Sequence, residues 1–380
     1  MVEGRHHPYK DQPARAFWRR SVEGVHPLEI GGWYRRKFSL EGRRLATGGS
    51  CFAQHIGREM KRRGADYLDV EPAPGFLPPA MHLDHGYGIY SARYGNLYTS
   101  RQLLQLLQRA AGEIAPADRA WERDGGYVDP FRPNIEPGPV GTADEVEALR
   151  RHHLSRVVAL FEQTDAFVFT LGMTETWMAR QDGTVFPVAP GTAGGIWDEA
   201  RYRFLNLTYP EVVADLEEVI ARLRAINGDM HFIFTVSPVS IMATATPDHV
   251  VVANTHSKSI LRAAAGALAE RYPFVDYFPG YEITTSPPMR AMFYDTDMRT
   301  VASAGVRHVM EQFFAEHAPV DRRAAAGRVK VGAPARHDAG AAPGGAAPAA
   351  PGPDGSEPAP AGDAERLLCD EELASVFGRY

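Results

Sequence analysis

The stretch LATGGSCFAQHIGREMKRRG (Leu45–Gly64) decides the fold. An apolar entry, two glycines, a Ser-Cys pair and an amphipathic run predict a strand, a tight turn and a helix. Phe52, Ile56 and Met60 recur at helical spacing and form the expected buried stripe. Gly64 fits a C-terminal cap. The turn therefore places the Ser-Cys pair at the N-terminus of a helix.

Two interpretations of this turn follow from its chemistry. Amides and the helix dipole at a helix N-terminus favour developing negative charge, which suits Ser50 or Cys51 as a nucleophile. Alternatively, Ser50 is an N-cap and Cys51 is a small buried apolar residue. Spacing alone favours the structural alternative.

Composition excludes several classes of protein. A chain of 380 residues can form one large or two ordinary domains, and its net charge of -6 is modest. Basic residues are scattered apart from Lys61–Arg63, so we expect no nucleic-acid partner. No apolar run of about 18 residues predicts a membrane span, and Met1–Lys10 lacks a signal core. Cys51 and Cys369 lie too far apart in sequence to suggest a structural disulfide. We expect a cytoplasmic protein that needs no cofactor and no metal.

The remaining pattern alternates strands and helices. Two apolar runs predict strands buried on both faces, a third strand is short, and amphipathic segments predict helices between them. Such strand–helix units predict an α/β fold, a three-layer α/β/α sandwich with a mostly parallel central sheet and right-handed crossovers. The predicted strands are 166–171, 231–236 and 274–278, and the predicted helices are 100–111, 142–160, 209–225, 257–272 and 305–317.

Polar residues and loops follow the strands. Thr174 and Glu175 come after strand 166–171, at the sheet edge where α/β proteins bind ligands; alternatively Thr174 caps a helix. The tyrosine-rich run 86–99 either lines a ligand cleft or fixes a loop to the core. Segments 66–98, 121–139 and 185–203 read as loops, and Trp33–Leu40 as a possible strand.

The composition divides the chain into four parts. Residues 1–30 form an N-terminal arm packed on the surface by Phe17 and Trp18, and residues 31–318 form the domain. Residues 319–363 are rich in Ala, Pro and Gly and predict disorder. Residues 364–380 regain an amphipathic pattern that suits a docking helix or a tethered peptide for a protein partner.

Several blocks together carry a resemblance. Gly49–Ala53 spells GSCFA, and the chain from roughly residue 30 to residue 315 resembles the GSCFA family, itself similar to the SGNH (GDSL-type) hydrolases. The matching blocks beyond the pentapeptide are Tyr94–Thr99, Phe169–Trp177, Thr235–Val239, Ser257–Ser259 and Asp276–Ile283.

The resemblance implies a flavodoxin-like fold and the layout of an acyl-ester hydrolase. It puts the nucleophile at Cys51, whose own amide would be one oxyanion donor, and Ser50 where the superfamily has an acid. It assigns the second donor to the amide of Gly95. Thr174 offers a hydroxyl where the superfamily has an asparagine side chain. The candidate substrate-binding residues in these blocks are Asn96, Glu175, Ser237, Tyr281 and Glu282.

The last superfamily block departs from its pattern. An Asp-x-x-His pair is implied there, and Asp297 fits the acid, but Thr300 stands at the place of the base. Threonine cannot take a proton near neutral pH. His256, beside the Ser257-Lys258 pair, is a candidate replacement, and a thiolate beside helix amides needs less help from a base than serine does.

Two functions therefore follow. The first is an SGNH-like acyl-ester hydrolase or O-acyltransferase acting on an acylated carbohydrate or small ester through Cys51. The alternative is a non-catalytic binding or scaffolding protein on a hydrolase fold that has lost its catalytic histidine, with the C-terminal segment tethering a partner.

Overall fold

The computed structural model describes residues 7–317, 369, 370 and 373. Its centre is a four-stranded parallel sheet in the order β1-β4-β8-β9. These strands are β1 (Leu45–Gly49), β4 (Ala166–Leu171), β8 (His231–Val236) and β9 (Val275–Phe278). β1 is therefore an edge strand, and its carboxyl end leads into the Ser-Cys turn.

Eight helices and two small sheets surround the centre in the described part of the chain. The helices are α1 (Trp18–Ser21), α2 (Ala53–Arg62), α3 (Ser100–Ala110), α4 (Ala143–Gln163), α5 (Tyr209–Ile226), α6 (Val250–Arg271), α7 (Gly280–Thr285) and α8 (Ser303–Glu316). β2 (Trp121–Arg123) and β3 (Gly126–Val128) form an antiparallel hairpin, while β5 (Glu175–Ala179), β6 (Val185–Phe186) and β7 (Tyr202–Asn206) form an antiparallel sheet.

Alternating strand residues separate the two helical layers. Phe167 and Phe169 of β4 enter a core with α3, α4, α5 and α6. Ala166 and Val168 face the other side, where they pack with α2 and α8. Because both faces of the strand are covered, every residue of β4 is buried. The predicted three-layer α/β/α sandwich is confirmed, and so are the predicted strands at β4 and β8.

Capping side chains fix the beginnings of three central helices. Thr99 and Gln102 form a capping box on α3, and Thr208 does so with Glu211 on α5. The Thr142 hydroxyl accepts a hydrogen bond from the Glu145 amide at the start of α4. Each of these helices begins within one residue of its predicted start. The two residues of each cap stand three positions apart, so the start can be recognised in the sequence.

Several sequence expectations differ from the structure. Thr174 does not cap a helix, since the chain continues into β5. Two of the segments read as loops contain short strands: β2 and β3 pair with each other within 121–139, and β6 and the start of β7, within 185–203, pair with β5. Helix α6 starts at Val250, seven residues before its predicted start, because the His249 side chain accepts a hydrogen bond from the Val251 amide.

Two N-terminal expectations are also wrong. Residues 33–40 form no strand; the Tyr34 hydroxyl and the Lys37 amide instead donate to the Asp276 carboxylate. Trp18 does not anchor the arm, because 66% of its surface is exposed. Val22 and Val25 pack there instead, near a small core around Ile30, Met289 and Phe293.

The predicted disordered stretch 319–363 lies outside the described residues, as does most of the segment 364–380. None of the described helices is long and apolar enough to span a membrane.

Candidate functional site

The turn after β1 is built on one glycine. Gly49 has a φ of +134°, and a Cβ there would lie 2.3 Å from the Thr170 carbonyl oxygen of the neighbouring strand. The next amide, that of Ser50, donates to the same carbonyl over 3.0 Å. Only glycine allows this approach, which carries Cys51 beyond the sheet edge, just before α2.

Ser50 is a packing residue in this structure. It is buried, its Cβ lies against Gly172, and its hydroxyl has no hydrogen-bond partner among the described residues. Its carbonyl accepts hydrogen bonds from the Ala53 amide and, at 3.1 Å, from the Tyr90 hydroxyl. The two side chains of the Ser-Cys pair thus point to different surroundings.

Cys51 lies on the wall of a cavity of about 790 Å³. We name this the Cys51 cavity. Helices α2 and α8 and the loop before α8 supply most of its wall. Five arginines and three carboxylates line it, so its charge is positive when all are ionised. These charged residues are Arg58, Arg62, Arg63, Arg299, Arg307, Glu59, Asp295 and Glu311.

One carboxylate of this wall is already neutralised. Glu59 forms ion pairs with Arg62 and Arg63 at 2.5 and 2.6 Å. Hydrogen bonds from Arg62 and then Arg63 hold the pKa of Glu59 below its usual range despite partial burial. Because one acid faces two guanidinium groups here, this part of the rim keeps a positive charge that suits an anionic ligand.

The loop before α8 brings Thr300 to the same cavity. Its hydroxyl donates to Asp297 Oδ2 over 2.6 Å, and its amide and that of Arg299 donate to Oδ1. Burial alone would raise the pKa of Asp297, but these hydrogen bonds outweigh it and lower the pKa. The position implied for the base thus lies in the Cys51 cavity, occupied by a hydroxyl already bonded to its acid.

His55 is the histidine of this cavity that sequence reasoning missed. It follows Cys51 by four residues and lines the same wall. Its Nε2 is buried without a hydrogen-bond partner among the described residues. Burial, and then the charge of Arg58, lowers its pKa to about 4, so the ring is neutral at pH 7. The i, i+4 spacing from Cys51 was the available signal.

A comparison with protein families shows to which family the chain belongs. The GSCFA family model matches residues 44–313, about seven-tenths of the chain. The chain belongs to the GSCFA family. No curated protein matches the sequence.

Other residues of the matched region form buried hydrogen bonds that hold the loops next to the site. The Ser257 hydroxyl accepts a hydrogen bond from the Thr174 amide, and the buried Lys258 ammonium donates to the Gly172 carbonyl over 2.6 Å. The Thr174 hydroxyl donates to Asn206 Oδ1 over 2.6 Å, and Thr174 is fully buried. Thr174 therefore holds β5 to β7 rather than facing the Cys51 cavity.

The tyrosine-rich run is fixed to the core and also contacts Asp370, while a role in lining a ligand cleft stays a prediction. The Tyr94 hydroxyl donates to the Thr47 carbonyl inside the core. In contrast, the Tyr90 hydroxyl donates to Asn96 Oδ1 over 2.6 Å, and the Tyr98 hydroxyl accepts from the Asp370 amide over 3.0 Å. Gly95, at φ +68°, makes the bend that turns Asn96 toward these groups.

Glu175 lies in a second cavity, of about 600 Å³. We name it the Trp cavity, because Trp177 and Trp197 meet edge to face there at 5.1 Å. Glu175 accepts hydrogen bonds from the Thr244 hydroxyl and the Ala245 amide. Burial nevertheless raises its pKa. The other lining residues are mostly apolar, among them Met173, Pro187, Val188, Pro190, Met242 and Ala243.

The remaining predicted site residues lie elsewhere. His256 is an exposed residue of α6 and does not line the Cys51 cavity. It lies close enough to Glu175 to lower the pKa of that carboxyl group slightly against the larger effect of burial. Ser237 is buried and its hydroxyl accepts from the Val239 amide. Glu282 accepts hydrogen bonds from Arg262 and Tyr277, and Tyr281 packs against the core of the α3–α6 side. None of these four lines the Cys51 cavity.

Nothing in the described residues suggests a metal centre: they contain no group of three or more His, Cys, Asp and Glu side chains that could hold an ion.

Proposed function

We propose that this GSCFA protein hydrolyses or transfers an acyl group from an ester, with Cys51 as nucleophile, in the manner of the SGNH hydrolases. The observation that carries the proposal is the position of Cys51. It follows the carboxyl end of a parallel strand, precedes a helix and lines a cavity large enough for a small acyl ester.

The charge of the cavity wall indicates which charge the substrate should carry. Five arginines against three carboxylates favour an ester whose acyl or alcohol part is negatively charged. An O-acylated sugar carrying an acid group, or an acid-terminated small ester, meets this requirement. The Trp cavity, lined mostly by apolar residues and by the Glu175 carboxyl group, offers no such positive charge.

The proposed reaction has two steps. Cys51 Sγ bonds to the ester carbonyl carbon, the C–O bond breaks, and the thiol proton passes by way of His55 to the departing alcohol. Water or a sugar hydroxyl then attacks the thioester and restores the thiol. The amide of Gly95 and that of Cys51 remain the proposed oxyanion donors. Burial lowers the pKa of His55 to about 4, so the ring is unprotonated at pH 7 and passes a proton on to the alcohol rather than keeping it.

The test compares Cys51→Ala with wild type on p-nitrophenyl acetate and on the p-nitrophenyl half-ester of succinate. We expect at least about a thousandfold loss of turnover. Cys369→Ala serves as the matched thiol control. Because His55 has a pKa of about 4, the acid limb of the wild-type rate profile should lie near pH 4 and disappear in His55→Gln. Equal turnover by Cys51→Ala and wild type would exclude the nucleophile.

One observation favours the non-catalytic alternative. The Thr300 hydroxyl is bound to Asp297 at the implied place of the base, so no proton acceptor exists at that place. A pure binding protein should be stabilised thermally by an acid-terminated ester without releasing product, and equally in Cys51→Ala. Product formed by wild type alone would eliminate this alternative.

The cysteine chemistry also bears on location. The chain has two cysteines, Cys51 and Cys369, far apart in sequence; this usage fits a reducing compartment, and we propose a cytoplasmic location. Cell fractionation tests it.

A further inference from the structure

Two residues near the C-terminus, Cys369 and Asp370, contact the site from outside the family match, and a third, Leu373, packs elsewhere on the domain. Cys369 lines the Cys51 cavity, and Arg299 Nη2 lies 3.6 Å from its sulfur. The Asp370 amide donates to the Tyr98 hydroxyl. Leu373 packs on a separate small core that includes Trp121 and Phe131.

The Asp370 carboxylate has a specific receptor. Asn96 Nδ2 donates to its Oδ2 over 2.8 Å, and Asn134 Nδ2 donates to its Oδ1 over 2.8 Å. Each carboxylate oxygen thus has its own amide donor. We call this pair of asparagines the amide cradle.

The two amides are oriented by other residues. Asn96 Oδ1 accepts from the Tyr90 hydroxyl over 2.6 Å and from Gln54 Nε2 over 3.4 Å. Asn134 Oδ1 accepts from Arg123 Nη1 over 3.1 Å. Since each carbonyl end of the asparagines is taken by a donor, each NH₂ end is directed at the carboxylate.

The amide cradle adjoins the nucleophile. Cys369, the residue before Asp370, lines the cavity of Cys51. Tyr90, which orients Asn96, is close to both Cys51 and Asp370; its pKa is raised chiefly by burial, and then by the charge of Cys51 and, less, that of Asp370. A ligand whose carboxylate fills the cradle therefore reaches the Cys51 cavity within a residue's length.

We infer that Asn96 and Asn134 form a carboxylate-binding subsite beside Cys51, and that the chain's own Asp370 occupies it as a built-in competitor of a carboxylate-bearing ligand. The cradle donates through uncharged amides rather than through a guanidinium group, so the bound carboxylate is exchangeable. This inference uses the site of the proposed function but not its chemistry.

The first test measures how fast iodoacetamide alkylates Cys51 in the full chain. Tryptic cleavage separates the Cys51 peptide, residues 45–58, from the Cys369 peptide, residues 367–379, so mass spectrometry follows each thiol. Asp370→Ala removes two charge-assisted hydrogen bonds, and we expect roughly tenfold faster alkylation of Cys51. Asn134→Ala should act in the same direction. Asp229→Ala, an exposed residue just before the amino end of β8, is the matched control and should leave the rate unchanged.

A synthetic peptide of residues 364–380 should return Asp370→Ala to the wild-type rate, and the same peptide with Asn for Asp370 should not. Wild-type rates in both Asp370→Ala and Asn134→Ala would overturn the inference. So would full protection by the Asn peptide, because it would mean that the segment binds without its carboxylate. Binding of the peptide by another protein, without any effect on Cys51, would assign the segment to a partner instead.

The second test examines the subsite itself. Glutarate should slow the alkylation of Cys51 in Asp370→Ala in a saturable way, and glutaramide should not. The protection should disappear when Asn134→Ala is added. Equal protection by the two compounds would contradict a carboxylate subsite. None of these readouts needs turnover, so an inactive protein that passes them would refute the proposed function and keep the inference.

Discussion

The Cys51 cavity and the Trp cavity both lie beyond carboxyl ends of the central strands, yet they differ in chemistry. The first contains a thiol, an imidazole and an excess of arginines. The second contains two tryptophans, two methionines and one carboxylate. Tyr98 and Met173 pack together between them: Met173 lines the Trp cavity, and Tyr98 contacts Cys369 and Asp370. One sheet edge thus supports a polar compartment that contains a thiol and an apolar compartment that does not.

The difference shows that a position beyond the carboxyl end of a strand does not by itself make a residue part of a polar binding site. Glu175 has the expected position after β4 and a raised pKa, but it faces apolar side chains. Cys51 and Thr300 are 249 positions apart in sequence and share one wall. Side chains from α2, α8 and the loop between β9 and α8 give the Cys51 cavity its charged wall. The following changes separate the two cavities experimentally.

The largest effect is expected from glycine replacement. Gly49→Ala puts a Cβ 2.3 Å from the Thr170 carbonyl oxygen at φ +134°, so it should lower the free energy of unfolding by more than about 3 kcal/mol. Gly191→Ala, in the wall of the Trp cavity, meets its nearest backbone atom at 3.4 Å with φ +91°. It should cost only about 1–2 kcal/mol. Urea titration measures both, and equal losses would contradict the steric explanation.

The second effect is a pH dependence from the Cys51 cavity. His55 has its pKa lowered from 6.5 to about 4, chiefly by burial. Between these values the unfolded chain binds a proton that the folded chain does not, so stability falls as the pH falls from 6.5 to 4. His55→Gln should reduce this loss by about 1–3 kcal/mol. Urea titrations at pH 4 and 7 measure it. His152→Gln, at an exposed site on α4, should leave the loss as in wild type.

The Trp cavity should give the opposite slope. Burial raises the pKa of Glu175 against the hydrogen bonds from Thr244 and Ala245. The folded chain then keeps a proton to higher pH than the unfolded chain, so stability falls as the pH rises through the folded pKa. Glu175→Gln should remove this loss of stability between pH 4 and 7. The exposed Glu270→Gln is its control, and the same series of urea titrations reads both. A loss that persisted in Glu175→Gln would reject the assignment.

The smallest effect concerns ligand charge. Iodoacetate and iodoacetamide differ by one negative charge, and Arg307 lines the Cys51 cavity. Arg307→Gln should lower the ratio of their alkylation rates at Cys51 by about two- to fivefold. Trp197→Ala should leave the ratio unchanged but weaken binding of an apolar fluorescent dye. If each variant changed both readouts, the two cavities would not be independent.

Much of the central fold could be predicted because its signals are local. β4 and β8 are short apolar runs buried on both faces, and Thr99, Thr142 and Thr208 cap helices through residues three positions away. β5, β6 and β7 could not be recognised, since Glu175–Ala179 alternates weakly and pairs with residues 202–206 across a long excursion. Trp18 suggested an anchor by residue type alone, and only the packing of the arm shows that it is exposed.

The candidate site was less predictable than the fold. The turn at Gly49 was visible in sequence, and so was the absence of a histidine at Thr300. His55 was overlooked because it reads as part of an amphipathic helix, although its spacing from Cys51 was visible. The amide cradle could not be found, because Asn96, Asn134 and Asp370 come from three distant stretches and meet only in the folded chain.

The contact of Asp370 with the amide cradle also has a consequence for concentration. A ligand carried on the same chain meets its site at an effective concentration that does not depend on the concentration of the protein. Dilution of the protein cannot release it. A free carboxylate compound has to compete with Asp370 for the amide cradle. Its apparent affinity is the intrinsic affinity multiplied by the fraction of molecules in which Asp370 leaves the cradle empty. Cleavage of one peptide bond between residues 317 and 369 would end this effect, because the segment that carries Asp370 would then compete only at its concentration in solution.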